Sequence, residues 1–316
     1  MINNSSPVSD ELRKKVNEAI KKLNYQPNTV AQSLIKTETG TVGLIIPDIS
    51  NPFFSLLAKG AEELAKIHNY SLILCNSNDD PKAETEYIDV LLKKQVDGLI
   101  FTGTRCKNEY INQLLEDRFP IVVVDREIEE KEVNSIYTNN KDGAYQATKY
   151  LTHLGHKDIA YIAGYPDVKT DKDRFEGYKR ALREAKISFR EDLVVIGNYH
   201  WNDAYNVVKK LLEKGKSFSA VFAANDLMAM GAIKALEENN LKVPDDVSVI
   251  GFDDILLASI VNPPLTTVAQ PTYQMGESAM RLLIDVIKKR ITKPRKVVLE
   301  TRLVIRESCK RRDRSF

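Results

Sequence analysis

From Thr41 onward, short runs rich in Val, Ile and Leu alternate with longer stretches of helical periodicity, the pattern of βαβ units around a parallel sheet. The runs at 42–46 (VGLII), 71–75 (SLILC), 97–101 (DGLIF) and 121–125 (IVVVD) predict the strands of one lobe. Those at 158–164 (DIAYIAG), 192–197 (DLVVIG), 219–226 (SAVFAAND) and 246–254 (DVSVIGFDD) predict a second. Strands so uniformly apolar are buried on both faces, which helices on each side of a parallel sheet provide. A helix over 273–290 and a strand pair in KVVLETRLVI follow, and their partners must lie in lobes already built. The fold class is therefore α/β, two doubly wound parallel-sheet lobes, with the chain crossing between them more than once.

The first forty residues differ in kind. Ser9 is suited to cap a helix whose apolar positions Leu12, Val16, Ala19, Ile20 and Leu23 recur at spacings of three and four, with Arg13, Lys14, Lys15, Lys21 and Lys22 around them. Pro27 interrupts that pattern, and a second short helical stretch, NTVAQSLIK, follows.

Composition narrows the function classes. With 46 basic and 44 acidic side chains the net charge is +2, so binding to nucleic acid has to come from a local patch. Cys75, Cys106 and Cys309 are too few and too scattered for a disulfide framework or a structural zinc site. No apolar run reaches the roughly 18 residues that a membrane span needs, and the polar N-terminus is unlike a signal peptide. A cytoplasmic protein with no metal, no cofactor and no membrane partner is expected.

Open α/β sheets bind ligands beyond the carboxyl ends of their strands. Those ends carry residues 48–54, Asp125-Arg126, Asn225-Asp226 and Asp253-Asp254, so carboxylates, amides and phenyl rings converge where a cleft would open. Asp226 is expected to cap the helix that follows it.

LNYQPNTVAQSL, residues 23–34, resembles the end of the headpiece and the hinge helix of the lactose-repressor (LacI/GalR) family of bacterial transcription regulators. VGLIIPDISNPFF, VDGLIF, LGHKDIAYIAG, AANDLMAMGAIKAL, DVSVIGFDDI and PPLTTVAQP extend the resemblance over nearly the whole chain. It implies lobes of periplasmic-binding-protein type, preceded by the remnant of an all-α helix-turn-helix headpiece and a hinge helix. The implied division is a partial headpiece and hinge at 1–40, a first effector-binding lobe at 41–137 plus 271–297, and a second at 138–270 plus 298–316.

The resemblance further implies that Leu34 wedges into the minor groove of operator DNA beside Ala31, with Tyr25 nearby and Asn28 capping the hinge helix and touching phosphate. Family members begin about twenty residues earlier, with the helices that read bases, so weak operator selectivity is expected of this chain by itself. In the lobes the pattern is similar to ribose-type sugar-binding proteins. Asn51, Phe53, Phe54, Asp125 and Arg126 would hold the sugar from one lobe, with the two phenyl rings as a sandwich. Arg174, Tyr199, Asn225 and Asp253 would hold it from the other, with Gln270 at a crossover. Tyr199 stands where phenylalanine is more usual, and Trp201 could take over its stacking role.

The expected function is a DNA-binding regulator, a repressor, whose operator affinity is set by ribose or another pentose or furanose. A purine- or hexose-responsive regulator of the same family, or a sugar-binding protein without DNA-reading activity, are the alternatives. Operator symmetry implies a homodimer. Catalysis is not expected, because no nucleotide, hydrolase or zinc-protease motif occurs and His68, His153, His156 and His200 form no metal-site spacing.

Overall fold

A computed structural model describes residues 9–23, 38–102, 108–125, 132–291 and 293–312. The chain divides into two compact units, residues 1–40 and 41–316.

In the first unit, helix α1 (Asp10–Lys22) has acidic residues in its first turn and basic ones in its last, as the helix dipole favours. Ser9 holds the N-cap position with an extended backbone, but its side chain makes no capping bond. Leu12 and Leu23 are exposed. Asn28, Ala31, Leu34 and Tyr25 lie outside the described residues.

The second unit holds two six-stranded sheets. The first contains β1 (Thr41–Ile46), β2 (Ser71–Asn76), β3 (Gly98–Phe101), β4 (Ile121–Val124), β5 (Asn134–Thr138) and β11 (Lys296–Leu299), in the order β11-β5-β4-β3-β1-β2 and parallel throughout. The second contains β6 (Ile159–Ala163), β7 (Val194–Ile196), β8 (Ala220–Ala223), β9 (Ser248–Asp253), β10 (Thr266–Ala269) and β12 (Arg302–Val304), in the order β12-β10-β9-β8-β6-β7. Only β12 runs antiparallel to its neighbour there. The chain passes from one sheet to the other after β5, after β10 and after β11, so three short strands tie the lobes together.

Burial follows position in the sheet. The central strands β3, β4, β6, β8 and β9 are buried along their whole length, whereas the edge strands β2 and β7 alternate or lie open. Helices α2 (Pro52–Ile67) and α10 (Thr272–Ile287) cover one face of the first sheet. Helices α3 (Pro81–Lys93) and α4 (Asn108–Glu116) cover the other. The contact between α2 and α10 is unusually close, because a Cβ at Gly60 would stand 2.2 Å from the Tyr273 carbonyl oxygen and one at Gly276 would stand 2.0 Å from that of Leu57. Glycine is required at both positions by space. Around the second sheet lie α5 (Asn140–His153), α6 (Lys169–Glu184), α7 (Trp201–Glu213), α8 (Asp226–Glu238) and the short α9 (Leu256–Ile260).

Two strands differ from the apolar-run reading. β5 (NSIYT) and β10 (TTVA) are too polar to stand out by hydrophobicity, yet both are interior strands at crossovers. The run at 192–197 begins as a 3-10 turn, Glu191–Leu193, and only its end pairs as β7.

Candidate effector-binding site

The carboxyl ends of both sheets open on one cleft. The turn after β1 brings Pro47, Asp48 and Asn51; the start of α2 brings Phe53 and Phe54; and the end of β4 brings Asp125. The opposite wall is Val168, Thr170 and Arg174 at the start of α6, Tyr199 and His200 after β7, Asn225 after β8, and Asp253 ending β9.

Arg174 organises the floor. It is 2% exposed; its Nε donates to Asn140 Oδ1 at 2.8 Å and its Nη1 to the Ala224 carbonyl at 2.5 Å. Nη2 lies 3.8 Å from Asp253 Oδ1, and the guanidinium sits 3.9 Å above the Phe252 ring. A guanidinium so placed holds its charge and its direction together.

Two carboxyls face this cation. Burial pushes the Asp253 carboxyl up to about 7, although Arg174 and a hydrogen bond from Gln270 pull the other way. Burial likewise pushes Asp125 up to about 6 against the pull of Arg174. Asp125 Oδ1 is buried and has no hydrogen-bond partner among the described residues. A buried acceptor left empty costs about 1–3 kcal/mol, so the site favours a ligand that donates there. The Asp125 carbonyl accepts from Thr170 Oγ1 at 2.8 Å, a direct bond between the lobes. At the rim, His200 Nε2 and Asp79 Oδ2 approach to 3.8 Å, again from opposite lobes.

The aromatic residues are arranged differently from a two-ring sandwich. Phe53 is 3% exposed and belongs to the first lobe's core, and Phe54 meets it edge-on at 5.1 Å and 89°. Phe54, only half-buried, is therefore the ring with a face to offer. Tyr199 packs edge-on against Tyr165, lies so close over Gly164 that a Cβ there would stand 2.1 Å from the ring, and has its hydroxyl 3.4 Å from buried Asp171. Trp201 does not compete with it: the indole stacks on Tyr205 at 5.6 Å and 4° and is absent from the cleft wall.

The amides do double service. Asn51 caps α2 by accepting from the Phe53 N–H at 3.0 Å, which leaves its amide nitrogen as a donor. Asn225, not Asp226, caps α8: its Oδ1 accepts from the Met228 N–H at 2.8 Å and its Nδ2 donates to the Tyr199 carbonyl at 3.1 Å. Asp226 is instead fully buried and accepts from the Ile255 N–H and from Thr267 Oγ1. Gln270 stands one hydrogen bond behind the wall, donating to Asp253 Oδ1 at 2.8 Å and accepting from Thr138 Oγ1 at 2.5 Å. Arg126 lies outside the described residues.

Thus Asn51, Phe53, Phe54, Asp125, Arg174, Tyr199, Asn225 and Asp253 come together on one cavity. Pro47, Asp79, Val168, Thr170 and His200 line the same cavity without standing out in the sequence. Thr170 carried a usable signal, since it precedes Arg174 by four residues and so shares its helix face. Among the described residues no group of three or more His, Cys, Asp or Glu is placed to hold a metal ion, and no helix is long and apolar enough to cross a membrane.

Two parallel-sheet lobes joined by three strands, with a cleft of acids, amides and rings at the strand ends, define a two-lobed ligand-binding protein. Residues 39–307 match the model described as periplasmic binding proteins and sugar binding domain of the LacI family, and residues 1–28 match that of bacterial regulatory proteins, lacI family. The chain belongs to the LacI family of transcriptional regulators. It is 40% identical over 309 residues to the HTH-type transcriptional regulator RegA of Clostridium saccharobutylicum, covering 98% of this chain and 93% of that protein. It is 38% identical over 310 residues to the ribose operon repressor of Halalkalibacterium halodurans, covering 98% and 92%. A LacI family transcriptional regulator from Enterococcus faecium, solved with bound ribose, superposes with a TM-score of 0.77 at 31% identity, covering 86% of this chain and 100% of that one.

Proposed function

We propose that the protein is a homodimeric, cytoplasmic repressor without enzymatic activity, whose operator affinity is controlled by ribose or another pentose or furanose in the cleft. The observation that carries the effector reading is Asp125: a buried carboxylate oxygen with an empty acceptor site, across the cavity from the Arg174 and Asp253 pair. Vicinal hydroxyls of a sugar donate to such carboxylates, while its C–H face lies on Phe54 and Tyr199. The relative named for the ribose operon and the structure with bound ribose support the same ligand class. On this reading residues 41–137 with 271–297 and residues 138–270 with 298–316 are the effector-binding lobes, and Tyr25, Asn28, Ala31 and Leu34 carry the hinge contact with operator DNA. The sugar acts by changing the lobe angle, and through it the separation of two hinge helices in the dimer.

Thermal denaturation with D-ribose, D-xylose, D-glucose and hypoxanthine tests the effector class. At a hundredfold excess over Kd a bound ligand stabilises the folded state by about 2.7 kcal/mol, enough to raise the midpoint measurably. Ribose or another pentose is expected to do so. A shift with hypoxanthine and none with any sugar would show that the cleft holds a purine.

A further inference from the structure

Asp253 begins a three-residue run that leads from the cleft into the interior of the other lobe. Asp253 has φ 115°, a conformation that residues with a Cβ rarely adopt and that persists only when the surroundings impose it, and Asp254 follows at φ 60°, in the left-handed region that aspartate tolerates. The turn delivers Ile255, 5% exposed, into the hydrophobic cluster formed by Phe53, Leu57 and Met280 of the first lobe. Among the described residues Ile255 is the one buried second-lobe side chain in that cluster; Leu227 and Met230 of α8 pack on it half-buried.

The run is held at every residue. Asp253 Oδ1 accepts from Gln270, whose own oxygen accepts from Thr138, so this link reaches the crossovers after β10 and β5. Asp254 Oδ1 pairs with Arg306 Nη2 at 2.6 Å beside the third crossover strand's continuation, β12. The Ile255 N–H donates to Asp226 Oδ2 at 2.9 Å, while Oδ1 of the same carboxylate accepts from Thr267 Oγ1 on β10. With Asp226 fully buried and both of its oxygens engaged, Ile255 cannot shift without disturbing a packed polar network.

We propose that Ile255 is the positioning residue that couples effector binding to lobe orientation: a ligand held by Asp253 fixes, two residues on, the apolar knob seated in the opposite lobe. The role of Asp253 in this scheme rests on the effector reading above; the seating of Ile255 does not. Packed contacts of this kind have discrete arrangements, so a small change at Asp253 is converted into a choice between lobe angles.

The test measures the distance between spin labels on Lys66→Cys in α2 and Lys209→Cys in α7, in the full chain with Cys75→Ala, Cys106→Ser and Cys309→Ala so that no other thiol takes a label. In ligand-free protein, Ile255→Ala is expected to broaden the distribution and lengthen its mean, while amide exchange in both sheets stays as in the wild type. Ile255→Leu, which keeps the volume, is expected to restore the wild-type distribution, and Ile255→Val replaces the alanine variant if that fails to fold. With D-ribose, Ile255→Ala is expected to lose the sugar-induced narrowing that the wild type shows. A ligand-free distribution that superimposes on the wild type overturns the proposal. If the wild type fails to bind ribose, the effector reading falls instead, and the ligand-free comparison still decides whether Ile255 sets the lobe angle.

Discussion

Effector affinity is expected to depend steeply on pH, because the two carboxyls that face the cleft titrate near neutrality. Asp125 at about 6 and Asp253 at about 7 owe their positions first to burial, with Arg174 acting in the opposite direction on both. A sugar hydroxyl donates a hydrogen bond to a carboxylate, so a polyol selects the ionised form of each. Both groups are predominantly ionised at pH 8. The neutral form gains on both as pH falls through about 7 and 6, so if binding needs both ionised, affinity drops towards acid pH.

The sign also follows from linkage. A folded pKa raised above the unfolded one makes the ligand-free protein lose stability as pH rises from the unfolded carboxyl range through about 6 and 7. The sugar reverses that contribution, since it binds tightest where the empty cleft is most strained by buried charge. Calorimetric titration of ribose between pH 5.5 and 8 in buffers of differing ionisation heat reads both quantities. Kd should fall as pH rises, and protons should be released on binding near pH 6–7. A Kd that is flat across the range, or that tightens in acid, would refute the reasoning, because it would mean that neutral carboxyls serve as donors to the ligand.

Two further predictions concern the scaffold of the cleft. Arg174→Met leaves Asn140 Oδ1 and the Ala224 carbonyl without their donor and Asp253 without its cation, so unfolding stability should drop by about 3–5 kcal/mol, measured by denaturant titration. The same variant should move the Asp253 carboxyl further up, shifting the acid limb of ribose binding to higher pH. Gly60→Ala should cost about 1–3 kcal/mol in thermal denaturation, since the new methyl meets the Tyr273 carbonyl across the α2 and α10 contact; an unchanged midpoint would show that the two helices separate freely.

How far the sequence reveals the fold depends on what each strand faces. The interior strands between two helical layers, such as IVVV and AVFA, are apolar on both faces and stand out from the sequence. The crossover strands β5 and β10 do not, although both are interior, because Thr138 and Thr267 lie where hydrogen-bonding partners are at hand. Thr138 donates to Gln270 and Thr267 donates to Asp226, so the polarity that hides these strands from a hydrophobicity reading is what links them to the cleft.

The site is legible as a set of strand ends and less so residue by residue, and the reason is that one side chain serves two purposes. Asn51 and Asn225 each cap a helix, so the choice between a structural and a ligand-facing asparagine was never exclusive. At 225–226 the neighbours exchange roles: the amide has both a donor and an acceptor, so it can cap α8 and brace Tyr199 together. Asp226 turns both carboxyl oxygens to the two donors behind the wall, Ile255 N–H and Thr267 Oγ1. Periodicity cannot separate these cases, since both residues sit at the same strand end. What separates them is the inventory of donors on each side, and that inventory exists only once three crossover strands have brought residues 138, 255, 267 and 270 beside the cleft.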